Sequence, residues 1–236
     1  MSGAVCAIHQ PNFFPWLGYF DKIRRADVFV FMDAVAYPRS GSGSMGSWTN
    51  RVKLAIGGEA RWVGCPIQRM PLGQPISAAT IDDGQPWREK LLKTLDANYR
   101  KAARFDNAMS LLEPLIRVPE SHIAEFNIEA IRAIAERLEV GARFVRESEL
   151  GCTAQSTQLV IDLTRAAGGD VYLAGGGASG YQEDELFAQS GVALRYQNFA
   201  PSPYGPPERF TPGLSVIDYL MHDGRPLAEA FPERGG

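Results

Sequence analysis

The sequence predicts an α/β fold built on a parallel or mixed Rossmann-like sheet, with a helical cap subdomain. Three observations carry that expectation. Short apolar runs alternate with helix-patterned segments, as βαβ units require. The first apolar run, Ala4–Ile8, ends in a polar and aromatic turn that leads to a helix and a second apolar run, Val28–Met32. After a purely helical middle, the same alternation returns beyond residue 140.

Each element follows from its pattern. Ala4–Ile8 and Asp27–Met32 are rich in Val, Ile and Phe and read as buried strands. Pro15–Ala26 connects them as a helix, with Pro in the first turn, where its missing N–H is an orphan anyway. Ser40–Gly46 is a flexible loop by composition. Asn50–Ile56 and Ala60–Ile67 flank Gly57-Gly58-Glu59 and form a hairpin. Trp87–Asn98 carries Leu91, Leu92 and Leu95 on one face, and Asn107–Ile116 is a shorter helix with Pro114 near its end. Glu120–Leu138 is the clearest helix, its stripe being Ile123, Ile131, Ile134 and Leu138. Ala142–Val145 is a short strand, and Ser156 or Thr157 caps a helix that stops at Gly168-Gly169. Val171–Leu173 runs as a strand into Gly175–Gly180, Val192–Tyr196 is another strand, and Leu214–Met221 is a last helix. The expected organisation is a single α/β domain over residues 1–236, with 85–140 as a helical insertion or cap.

Composition bounds the function. A chain of 236 residues with 45% apolar and 22% charged residues is an ordinary globular one. Its net charge of −3 supplies no basic field for nucleic acid. No apolar run approaches the roughly 20 residues that span a bilayer. Met1–Ala4 has no basic region and leads into no long apolar core, so no signal peptide is expected. Three cysteines, odd in number and widely spaced, argue for a cytoplasmic protein without a disulfide framework.

In parallel α/β sheets ligands sit beyond the carboxyl ends of the strands. Two polar clusters fall there, His9–Asn12 and Gly175–Tyr181, and they are expected to share one pocket. His9 is the candidate acid–base group or phosphate donor. Gln10 and Asn12 are candidates to hold polar groups of a ligand, although Asn12 equally suits a turn. Asp21 is a candidate contact, or a carboxylate that complements the helix dipole. Asp33, ending the second strand, is a candidate base or hydroxyl acceptor. Asn50, Arg51 and Lys53 would clamp a phosphate or carboxylate, alternation placing Arg51 and Lys53 on one face. Gly175, Ser179 and Tyr181 belong to a glycine-rich loop whose N–H groups form an anion nest, without the lysine of a P-loop. Ser215 and Asp218 have the spacing of a helix cap pair. His122 and His222 read as surface groups, and Cys6, Cys65 and Cys152 as inert thiols. No metal-ligand spacing stands out.

Several stretches also carry a likeness. His9-Gln10-Pro11-Asn12, Phe14–Asp21 and Asp27–Asp33 resemble the opening of the WbqC-like family. Trp48–Lys53, Tyr172–Gly175, Tyr181–Phe187 and Phe210–Asp218 resemble its later motifs. The family is associated with bacterial surface-polysaccharide (O-antigen) and secondary-metabolite clusters, and a glycine transfer role has been suggested for it. The resemblance therefore implies a group-transfer enzyme passing a glycyl, other aminoacyl or acyl group to a small-molecule acceptor, a sugar or secondary metabolite. An aminoacyl-tRNA, a carrier protein or a nucleotide would be the donor, and no cofactor is specified. The alternatives are a non-catalytic component that binds a nucleotide-sugar or carrier protein, and a nucleotidyl- or glycosyltransferase. The strand–His9–Gly18 opening also resembles HIGH-type nucleotidyltransferases of the HUP fold, with Tyr19 where their second histidine would stand.

Overall fold

The structure is a computed structural model, and it describes residues 3–38, 47–175, 184–207 and 210–232. The Ser40–Gly46 loop lies outside those residues, as do Ser179 and Tyr181 of the glycine-rich stretch. In chain order the elements are β1 (Val5–His9), α1 (Leu17–Arg24), β2 (Val28–Phe31), β3 (Arg51–Ile56) and β4 (Glu59–Gly64). Helices α2 (Trp87–Tyr99), α3 (Phe105–Arg117) and α4 (Ile123–Arg137) follow. Then come β5 (Arg143–Arg146), α5 (Glu147–Leu150), α6 (Ser156–Ala166), β6 (Val171–Ala174), α7 (Asp184–Ser190), β7 (Ala193–Tyr196), α8 (Val216–His222) and α9 (Leu227–Ala230). Contacts group the chain into two compact units: Met1–Gln10, Gly18–Ala34 and Val140–Ala200 in one, Pro11–Leu17, Val35–Glu139 and Pro201–Gly236 in the other.

The first unit holds a five-stranded sheet in the order β5-β2-β1-β6-β7. Every pairing in it is parallel, so of the parallel and mixed forms expected the sheet takes the parallel one. Counting only its own strands, the order is third, second, first, fourth, fifth, which is the Rossmann-like arrangement. Helices α1, α6 and α7 supply crossovers, as parallel neighbours require. Burial explains the apolar runs: Cys6, Ala7, Phe29, Val30 and Phe31 have no exposed surface, so β1 and β2 need apolar residues on both faces.

The second unit contains α2, α3, α4, α8, α9 and the β3–β4 hairpin. Gly57 (φ 61°) and Gly58 (φ 84°) make its two-residue turn, both in the left-handed region that glycine enters without penalty. Glu59 already pairs with Ile56. An aromatic cluster of Phe13, Phe14, Trp87 and Phe126 forms part of this unit's core, with the Phe13 and Phe126 rings stacked at 5.9 Å. Phe14 has φ 39°, rare for a bulky residue. Its carbonyl accepts a 2.6 Å hydrogen bond from the Ser215 hydroxyl, which holds the strained turn in place. Ser215 also caps α8, accepting from the Ile217 N–H at 3.2 Å. The cap of α6 differs from expectation: Gln155 occupies it, and Ser156 starts the helix with φ 53°. Among the described residues no helix is long and apolar enough to cross a membrane.

Candidate functional site

In the first unit β1 lies between β2, which follows it in the chain, and β6, which is reached only after the crossover from β5. This is the point where the strand order reverses. Connections leave in opposite directions there, and in such sheets the ligand crevice lies beyond the carboxyl ends. The backbone shows what stands there. Successive carbonyls of a parallel strand point to opposite neighbours. The carbonyls of Val5 and His9 accept from Asp27 (2.8 Å) and Met32 (2.9 Å), on the β2 side. Ala4 accepts from Asp170 (2.9 Å) and Val171 (3.1 Å), on the β6 side. Ile8 shares the parity of Ala4, so its carbonyl faces β6, but the β1–β6 register ends at Ala7 opposite Leu173. Lys22, from α1, takes the vacated position, and its Nζ donates to the Ile8 carbonyl at 2.8 Å.

The ammonium is thus lodged at the switch point. Lys22 is 3% exposed, and its Nζ lies 5.6 Å from the centre of the Tyr172 ring of β6, a cation–π contact. Burial pulls its pKa down to about 7, opposed in part by the Cys6 thiol. A lysine amine at that value exchanges its proton near neutrality, as a general acid or base must.

His9 stands at the end of β1, half-buried, with its ring centre 4.8 Å from that of Tyr19. Its Nδ1 lies 3.2 Å from the Gln10 carbonyl, which also accepts from the Tyr19 hydroxyl at 3.0 Å. A carbonyl can only accept, so Nδ1 carries the proton and Nε2 carries the lone pair. Burial and then the charge of Lys22 push the His9 pKa down to about 3, which keeps the imidazole neutral. It is therefore a hydrogen-bond acceptor here, and the group tuned to take a proton near neutral pH is Lys22. Lys22 was not legible as a site residue. It sits in Asp21-Lys22-Ile23-Arg24-Arg25, a charge run that reads as a solvated helix face, and the one hint is its place between two largely apolar strands.

The other expected residues fall into two groups. In the first unit Gly175 directly follows β6, the strand beside β1. Asp21 is fully buried, and its two oxygens meet Arg24 (2.7 Å), Arg25 (2.8 Å) and the Gln197 amide (2.8 Å). Asp33 is 1% exposed and accepts from the backbone N–H (3.0 Å) and hydroxyl (2.8 Å) of Ser148, in the first turn of α5. Both carboxylates are engaged in holding the fold.

In the second unit Asn50 donates to the Cys65 carbonyl at 2.9 Å. Arg51 and Lys53 do share a face, but it is covered by an aromatic ring. The guanidinium lies 4.6 Å and the ammonium 5.2 Å from the Trp62 centre, and Trp62 packs on Trp48 at 4.9 Å. Asn12 is 1% exposed, and neither of its amide atoms has a partner among the described residues. Asn127, unnoticed in the sequence, donates to the carbonyls of Pro11 (2.9 Å) and Thr49 (2.7 Å). It ties the Pro11–Asn12 turn to the segment before β3.

Two features read otherwise from the sequence also change character. Asp218 does not join Ser215 in capping α8; it accepts from two buried tyrosines. His222 is not a surface group, its side chain being only 16% exposed.

Comparison with known proteins agrees with the motifs. The chain is 25% identical over 223 residues to the uncharacterized protein Rv1507c of Mycobacterium tuberculosis, covering 92% of this chain and 93% of that one. No solved structure matches the chain. The WbqC-like protein family matches residues 10–229, from the turn after β1 to the last helix, and the chain belongs to that family.

Proposed function

We propose that the protein is a cytoplasmic group-transfer enzyme, passing a glycyl, other aminoacyl or acyl group to an amine or hydroxyl of a sugar or secondary metabolite. The observation that carries the reading is the Lys22 amine at the β1–β6 switch point, with the His9 imidazole on the same strand end. An anionic donor pairs with the Lys22 ammonium, as phosphate and carboxylate groups do with lysine. The glycine-rich stretch that begins at Gly175 is, by composition, the candidate source of N–H groups for the acyl oxygen as charge develops on it. The acceptor nitrogen or oxygen bonds to the acyl carbon while the bond from that carbon to the leaving group breaks. Once the Lys22 ammonium has released its own proton, the amine takes the acceptor's proton and passes it to the leaving group, while the neutral His9 imidazole accepts a hydrogen bond from the acceptor. Asp21 and Asp33 serve as positioning residues. The unpaired state of Cys6, Cys65 and Cys152 suits a reducing compartment.

The test is ligand release from the purified protein, read by mass spectrometry, beside a thermal-shift panel of nucleotides, nucleotide-sugars, coenzyme A and aminoacyl donors. A donor that raises the melting temperature of the wild type and not of Lys22→Met, and that is turned over with an acceptor, is the expected result. Binding without turnover points instead to a non-catalytic carrier of that ligand. A donor that binds Lys22→Met as well as wild type removes the crevice from the mechanism.

A further inference from the structure

The second unit has a cleft of about 820 Å³ that none of the chemistry above uses. That volume falls within the roughly 300–1,000 Å³ of small-molecule sites. Gly57 and Gly58 at the hairpin turn, Asn98 and Tyr99 at the end of α2, Thr211, Asp218 and His222 are among its lining residues.

Its floor is electrostatically incomplete. Asp218 is 4% exposed, and each of its oxygens accepts one tyrosine hydroxyl, from Tyr99 at 3.0 Å and from Tyr204 at 2.9 Å. The Ala55 N–H donates to the Tyr99 hydroxyl at 2.9 Å, which fixes the direction of that proton toward Asp218. Two neutral donors orient the carboxylate without balancing its charge. The one ion-pair partner among the described residues is His222, whose Nε2 is 4.0 Å away, beyond hydrogen-bond distance. Burial raises the Asp218 pKa, the signature of a carboxylate held where its charge is poorly solvated. Helix α2 ends at this cleft, and the carbonyl end of a helix adds negative potential. Lys101 also lines the cleft, but it is exposed to solvent.

A buried carboxylate with neutral partners is stabilised by a cation brought to it. The cleft is open to a ligand, its floor is anionic, and Thr211 offers a polar partner to a hydroxylated body. We propose that this cleft binds a small hydroxylated amine, its ammonium seated between Asp218 and the carbonyl end of α2. The inference rests on the cleft alone and stands or falls apart from the chemistry assigned to Lys22.

The probe is glucosamine, with N-acetylglucosamine and glucose as controls that keep the hydroxyls and lack the charge. Binding is read from the side-chain NMR signals of the histidines, of which the chain has three. Glucosamine should move the His222 signals saturably, and neither control should do so at the same concentrations. Asp218→Asn should weaken binding by about tenfold or more, since it removes the charge and keeps the shape. Ala97→Trp, on an exposed position at the cleft, should abolish binding, and it decides the matter if Asp218→Asn fails to fold. Equal binding of N-acetylglucosamine, unchanged binding to Ala97→Trp, or no movement of the His222 signals at saturating glucosamine would overturn the proposal.

Discussion

Replacing Lys22 by Met removes the charge at the switch point and keeps an unbranched chain of similar reach. In the folded protein the amine has a pKa of about 7 against an ordinary 10.5. Between those values the unfolded chain holds the proton while the folded one has released it. The unfolded state then binds more protons, so this group makes stability rise with pH. With about 1.4 kcal/mol per pKa unit, wild type should gain about 2 kcal/mol from this site between about pH 7 and about pH 9. The Met variant has no such group and gains nothing from the site. At neutral pH the substitution has two opposed effects: it relieves the desolvated charge, and it leaves the Ile8 carbonyl without its 2.8 Å donor, which costs about 1–3 kcal/mol. The pH dependence isolates the first effect, because the lost hydrogen bond is lost at every pH. Urea denaturation of both proteins at the two pH values gives the difference directly. The expected result is a stability of Lys22→Met relative to wild type that falls by about 2 kcal/mol from the lower pH to the higher. A constant difference, or one that moves the other way, would refute the argument that Lys22 is buried as a depressed amine.

Two further substitutions test how the fold is held. Asn127→Ala leaves the buried carbonyls of Pro11 and Thr49 without their donor and should cost about 2–4 kcal/mol by urea denaturation; a loss under about 0.5 kcal/mol would mean that other groups satisfy them. Asp33→Ala removes both acceptors of Ser148 at the first turn of α5 and should cost about 1–2 kcal/mol while leaving the melting shift given by a crevice ligand intact. Unchanged stability with the ligand shift lost would return Asp33 to the role of a site residue.

The fold was largely legible because its signals are local. Apolar runs of four or five residues bounded by turns gave β1, β2 and β6, and the Ile stripe gave α4. Elements of only four residues, α5 and α9, were not anticipated, because they are set by tertiary partners such as the Asp33–Ser148 contacts. The site was legible by place more than by residue. His9 at a strand end followed from topology. Lys22 and Asn127 did not, because their roles depend on carbonyls 14 and 116 residues away, Ile8 and Pro11. Asp21 and Asp33 show the converse. A carboxylate near a strand end or helix start has the same sequence signature whether it meets a ligand or an internal donor.

The carbonyl that Lys22 holds points toward β6 because of an even count of residues from Ala4 along β1. A single-residue insertion or deletion within that strand would turn the Ile8 position toward β2 and set every side chain after it on the opposite face. A change of two residues would restore both. The length of β1 is therefore fixed more tightly than the identity of its apolar side chains, and the Lys22–Ile8 contact depends on the parity of a strand as much as on either residue.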